Sequence, residues 1–156
     1  MKKYLDQITQ SPTRIPIRVP SCTLILLNDQ AQLLLLNNKQ QNQWQLPLTD
    51  IRPDESATSC TMRMAVEQTS IELDDIECVG YSSMAPESVT LWSDTQVQLH
   101  SFIMVSTSWQ GNLHANEEFA QMKFFGIQSL PELPNHTLQA ISLFKKWLPS
   151  RVFQFG

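Results

Sequence analysis

Glycine is scarce in this chain, with 4 in 156 residues, against about 7% in average usage. So few glycines can build neither a Gly-x-Gly-x-x-Gly turn nor a Gly-rich phosphate loop, which removes dinucleotide-binding and P-loop readings. Cysteine offers no framework either. Cys22, Cys60 and Cys78 are odd in number and far apart, with no C-x-x-C pair, so neither a disulfide network nor a zinc knuckle follows, and buried reduced thiols are expected. Charge is thin: 17% of residues, a net of -4 and a pI near 5.3, which excludes a coat for duplex nucleic acid. Long hydrophobic runs are missing as well. Thr23–Leu27 and Leu33–Leu36 are split by Asn28-Asp29-Gln30, and neither nears the roughly 18 residues that cross a bilayer. The start, Met1-Lys2-Lys3-Tyr4-Leu5-Asp6, has basic residues with no apolar stretch behind them, so no secretory signal is read there. No membrane partner and a cytoplasmic location are the expectation.

What is present suits one globular domain, since 42% of the residues are hydrophobic and the length supports a single sizeable core. Pro12, Pro16 and Pro20 fall at four-residue spacing, which blocks a helix and predicts an extended lead-in over residues 1–20. A single domain is expected over 21–150, and a short tail over 151–156. The apolar runs Cys22–Leu27 and Gln32–Leu36 read as a β-hairpin. Their continuous Leu and Ile, in place of strict alternation, predict strands covered on both faces. From Glu55 to Gln68, residues Ala57, Cys60, Thr61, Met64 and Gln68 share a helical face, with Pro53-Asp54 suiting the start. Ile76–Tyr81 and Thr95–Trp109 read as further strands, and Met122–Ile127 is a short apolar run. A closing helix is predicted over Thr137–Leu148, with Leu138, Ile141, Phe144, Lys145 and Leu148 at helical steps. Strands, helix, strands, helix make a mixed α/β (α+β) domain, a sheet with helices on each side. A strand edge left open would suit a homodimer.

One stretch is more specific: Trp44-Gln45-Leu46-Pro47-Leu48-Thr49-Asp50-Ile51-Arg52-Pro53-Asp54-Glu55, then seven residues, then Arg63-Met64-Ala65-Val66-Glu67-Gln68-Thr69-Ser70-Ile71. It resembles the box of the Nudix (MutT-like) hydrolases, whose pattern is Gly, five residues, Glu, seven residues, Arg-Glu, an aliphatic, any residue, Glu-Glu, any residue, Gly, an aliphatic. The spacing is kept while half the residues are not. Glu55, Arg63, Glu67 and Ile71 match; Thr49 stands for the first glycine, Met64 and Gln68 for two glutamates, and Ser70 for the second glycine. A later Glu117-Glu118 followed by Lys123-Phe124-Phe125-Gly126 looks like the family's distal loop and strand.

The resemblance implies an α/β/α sandwich with a mixed sheet, and metal-dependent cleavage of a nucleoside diphosphate linked to another group. It implies Glu67, Arg63 and Glu55 as the catalytic set. Metal ligands would be Glu67, Glu118 and Glu117, holding Mg2+ or Mn2+ if the chain is active, because hard cations take oxygen donors. Leu48, Thr49 and Trp92 would line the ligand. Met64, Gln68 and Ser70 are the degenerate positions, and two of the three anionic slots at 64, 67 and 68 are neutral. Three readings stay open: a nucleotide-binding domain with weak or lost hydrolysis, an active hydrolase, and a non-catalytic interaction protein. For Glu67, ligation competes with a plain ion pair to Arg63 one turn back. Because Leu48 and Thr49 carry Cβ atoms, the loop is expected to avoid the glycine path, with the carbonyl there misplaced for metal.

Overall fold

The computed structural model describes residues 17–84 and 97–156. In chain order the elements are β1 (Ile17–Leu26), β2 (Leu33–Asn38), β3 (Gln43–Gln45), β4 (Leu48–Asp50), α1 (Ala57–Thr69), β5 (Glu72–Leu73), β6 (Glu77–Ser83), β7 (Val97–Ser106), β8 (Trp109–Gln110), β9 (Phe119–Phe125), α2 (Asn135–Ser150) and β10 (Gln154–Phe155). A five-stranded sheet runs β10-β6-β7-β1-β4, a three-stranded sheet β3-β2-β9, and β5 pairs with β8. The large sheet is mixed. β1 lies parallel to β7 and β10 parallel to β6, while β4 and β6 run antiparallel to their neighbours β1 and β7.

Continuous apolar strands need cover on both faces, and they have it. Ile25, Leu27, Leu33 and Leu35 join α2 residues Ile141, Phe144 and Trp147 in one core. Cys22, Leu24, Leu26, Leu34 and Leu36 join Cys60, Met64 and Ala65 of α1 in the other. A helix thus covers each side, as the sequence predicts.

The predicted hairpin is not a regular one. β1 and β2 enter different sheets and share a single bridge, Leu27 to Leu33. The main partner of β1 is β7, in register from Ile17↔Val97 to Leu26↔Ser106. The loop between β1 and β2 is held by Asn28, whose Oδ1 accepts from the backbone N–H groups of Gln30 and Gln32 at 3.1 and 2.9 Å. This Asx turn mimics a hairpin turn without closing a ladder.

Helix α1 starts two residues later than predicted. Ser56 caps it, its Oγ accepting from the Ser59 N–H at 3.1 Å, which satisfies one orphan donor of the first turn. Its buried face, Cys60, Thr61, Met64, Ala65, Gln68 and Thr69, is the predicted one with Ala65 and Thr69 added and Ala57 only partly buried. Ser70 closes the helix in the left-handed region at φ 62°, its N–H returning to Val66 O at 3.0 Å. The serine at the second glycine position of the pattern thus takes a left-handed conformation, one that favours glycine.

Helix α2 buries Thr137, Ala140, Ile141, Leu143, Phe144 and Trp147. Leu138 and Lys145, placed on that face from sequence, are exposed instead. Residues 17–20 of the expected lead-in are already β1, and the expected tail adds β10 along β6. Cys22 and Cys60 are buried but Cys78 is exposed, which corrects the expectation for that thiol. Trp44 anchors β3 by an edge-on contact with Phe125 at 5.0 Å between ring centroids. No helix among the described residues is long and apolar enough to cross a membrane.

Candidate functional site

Two features meet where β4 runs up to α1: an ion cluster on the outer side of the helix, and a cleft on its inner side. The cluster is built around Arg63, in the second turn of α1, its side chain 16% exposed. Its Nε reaches Glu55 Oε1 at 2.6 Å and its Nη2 reaches Glu55 Oε2 at 2.8 Å, a bidentate pair. Nη2 also donates to the Asp50 carbonyl at 3.0 Å, and Nη1 to Glu67 Oε2 at 3.1 Å. Arg52 adds a looser contact to Glu67 Oε1 at 3.4 Å. The guanidinium thereby ties the loop of residues 50–55 to the helix. The Arg63 hydrogen bonds hold the Glu55 carboxyl down at about 2, helped by the Arg52 N–H, and the same bonds push the Arg63 proton affinity up.

The cleft has a volume of about 610 Å³ and lies between the starts of β1 and β7, strand β4, and the inner side of α1. Ile17, Val19, Leu48, Val97 and Leu99 give it an apolar wall. Asn38, Gln41, Gln45 and Gln68 give it a wall of amides, and Arg18, Glu118 and His136 also reach it.

Leu48 and Thr49, expected at the ligand, both line the cleft. They belong to β4, paired with Thr23 and Cys22 of β1. Among the described residues the non-glycine positions with positive φ are Ala31, Asn42, Ser70 and Arg151, so the loop does take an ordinary extended path here. Leu48 O points at the box helix and accepts from Gln68 Nε2 at 3.0 Å.

Of the three helix slots, only Gln68 faces the cleft. Met64 is 0% exposed, sealed among Cys22, Leu24 and Cys60. Glu67, expected as a catalytic residue and metal ligand or else as an ion-pair partner of Arg63, is half exposed and held by Arg52 and Arg63 outside the cleft lining. One residue of helical advance turns a side chain by about 100°, which sends neighbours 67 and 68 to different sides. Glu118 lines the cleft while Glu117 does not. The expected metal set therefore does not assemble: among the described residues no group of three or more His, Cys, Asp or Glu side chains is placed to hold a metal ion. A neutral amide bonded to a carbonyl, with the carboxylates of Asp50 and Glu118 elsewhere on the wall, is a poor match to a divalent cation's demand for clustered anionic oxygens. Trp92 lies outside the described residues.

Several participants carried no sequence signal. Asn116 donates from Nδ2 to Glu67 O at 3.0 Å and from its N–H to Gln68 O at 3.3 Å, fixing the distal loop on the end of α1. Arg52 and the amides Asn38, Gln41 and Gln45 read in sequence only as polar loop.

Known proteins agree with this geometry. The NUDIX domain family model matches residues 17–147. An RNA pyrophosphohydrolase of Pseudomonas putida is 36% identical over 61 residues, which is 39% of this chain and 38% of that protein; the chain thus matches well under half the length of this curated relative. The crystal structure of a MutT NUDIX hydrolase from Burkholderia pseudomallei superposes with a TM-score of 0.71 at 16% identity, over 81% of this chain and 97% of that one. The NUDIX domain of Shewanella oneidensis NrtR, solved with ADP ribose, gives 0.61 at 16% identity over 94% and 97%. With most of its length under one family model, and with the fold of that family's solved members, this chain belongs to the NUDIX domain family.

Proposed function

We propose that this protein binds a nucleoside diphosphate-type ligand in the cleft between β4 and α1, with metal-dependent pyrophosphate hydrolysis weak or lost. Nudix hydrolases generally use Mg2+ or Mn2+, and cleavage of a pyrophosphate needs charge on the phosphoryl oxygens to be offset. The observation that carries the reading is the state of the helix slots. Met64 is buried in the core, Glu67 is engaged by two arginines, and Gln68 presents an amide to the cleft. The cleft itself is large enough for a nucleotide-sized molecule. The relative from Shewanella oneidensis, solved with ADP ribose, supports that ligand class. Amides offering both a donor and an acceptor suit the edge of a base or the hydroxyls of a sugar.

A second reading, an active hydrolase, is favoured by one observation: Asp50 and Glu118 place two carboxylates on the same cleft as Gln68. A panel of nucleoside diphosphate derivatives, assayed for hydrolysis with Mg2+ and Mn2+ and for thermal stabilisation without them, separates the two. Stabilisation without turnover is the expected result. Turnover that Glu118→Gln abolishes would install the second reading. No stabilisation and no turnover across the panel would leave the fold as an interaction surface and reject both.

A further inference from the structure

Gln68 occupies the one of the three helix slots that faces the cleft, and its side chain is placed in an unusual way. The residue is 9% exposed. Its Nε2 donates to Leu48 O at 3.0 Å, while its Oε1 is shut off from solvent with no hydrogen-bond partner. The amide cannot be turned over without setting two acceptor oxygens against each other at that distance. A carboxylate in this slot would create that same clash, and it would need a cation or a proton between the oxygens to be tolerated. The amide N–H2 supplies the positive pole itself. What a cation would do here, joining helix α1 to the β4 carbonyl, the side chain does alone.

From this we infer that Gln68 takes the place of a divalent cation, so that the cleft binds without one. Its N–H2 is committed to the Leu48 carbonyl and its Oε1 is closed off, so neither is free to hold a metal ion. The inference rests on the cleft being the ligand site. Its test is nonetheless run without nucleotide, so that a failure of nucleotide binding and a failure of this inference are separate results.

Thermal melts of the full chain in EDTA, in Mg2+ and in Mn2+ provide the test, with inorganic pyrophosphate as the phosphate probe. The wild-type midpoint should stay within about 1 °C across all three conditions, and any shift that pyrophosphate gives should be the same in each, since a cation that does not bind cannot shift it. In EDTA, Gln68→Glu should lower the midpoint by about 4–8 °C, the effect of opposing a carboxylate to the buried Leu48 carbonyl in a chain of this size. Mn2+ at about ten times its Kd should return about 4 °C of that loss, because Leu48 O and the new carboxylate then have a cation to share. Gln68→Met should lose a similar amount and regain nothing. A saturable cation-induced rise in the wild type that Gln68→Met removes would overturn the inference. So would a pyrophosphate shift that requires Mg2+, or a Gln68→Glu chain indifferent to both ions. Should Gln68→Glu not fold, the wild-type and Gln68→Met titrations decide alone.

Discussion

Replacing Met64 by glutamate restores the family residue at that slot, and the structure says the restoration is ruinous. Met64 is 0% exposed and packs with Cys22, Leu24, Cys60 and Ala65 between α1 and the sheet. Its helix neighbour Arg63 cannot neutralise a new carboxylate, because its guanidinium is committed to Glu55, Glu67 and the Asp50 carbonyl. An uncompensated buried charge costs about 3–5 kcal/mol. Protonation sets a ceiling: raising a carboxyl by about three pKa units to keep it neutral at pH 7 costs about 4 kcal/mol. Both routes agree on about 4 kcal/mol, or roughly 8–16 °C in midpoint for a chain of this length. The sign with pH is definite. The folded form holds this proton more tightly than the unfolded form, so the penalty shrinks as pH falls toward the ordinary glutamate range and is full above the raised value. Urea unfolding of Met64→Glu at neutral and mildly acid pH checks both size and slope. A variant within about 1 kcal/mol of wild type at neutral pH, against the cost expected for such burial, would show that this slot is not sealed in the core.

Two further predictions concern the same segment. Ser70 sits at φ 62° with its Oγ donating to His114 O at 3.2 Å; since a left-handed residue with a Cβ costs roughly 1 kcal/mol, Ser70→Gly should be more stable than Ser70→Ala by about that amount. Equal midpoints for the two variants would contradict the strain. Glu55 is held at about 2 against an ordinary 4.5, chiefly by its Arg63 hydrogen bonds. Its contribution is present above pH 4.5 and is lost as pH falls toward 2, because the unfolded chain takes up that proton first. Acid titration of the urea midpoint should show this slope, and Glu55→Gln should flatten it; an unchanged slope would refute the pairing.

The elements that were legible in sequence are those whose signal is local and whose burial is two-sided. The leucines at 33–36 announce strands covered on both faces because no solvent-facing position interrupts them. Small residues at 57, 60 and 61 announce the helix that packs closely on β1. The hairpin reading failed because the true partner of β1 is β7, far along the chain, while the Asx turn at Asn28 imitates a local connection. The stripe of α2 was read one position off, since Ala140 and Trp147 flank Ile141 and Phe144 as well as Leu138 and Lys145 do on a helical wheel.

The site was legible in spacing and not in direction. Box spacing fixes which residues are helix neighbours, but which side turns inward is settled by packing, here the burial of Met64 and the capture of Glu67 by Arg63 and by Arg52 from the preceding loop. The amide wall of Asn38, Gln41 and Gln45 was invisible because a run of Asn and Gln reads as a solvated loop until β3 folds it against the cleft.

The central claim is that the amide of Gln68, bonded to the Leu48 carbonyl, stands where this fold's relatives would need a cation. A crystal of the chain soaked with Mg2+ and ADP-ribose measures it most directly. Ligand density in the cleft, with Gln68 Nε2 still on Leu48 O and no metal ion beside it, is the predicted result. A metal ion seated between the α1 side chains and that carbonyl, with phosphate oxygens completing its shell, would contradict it.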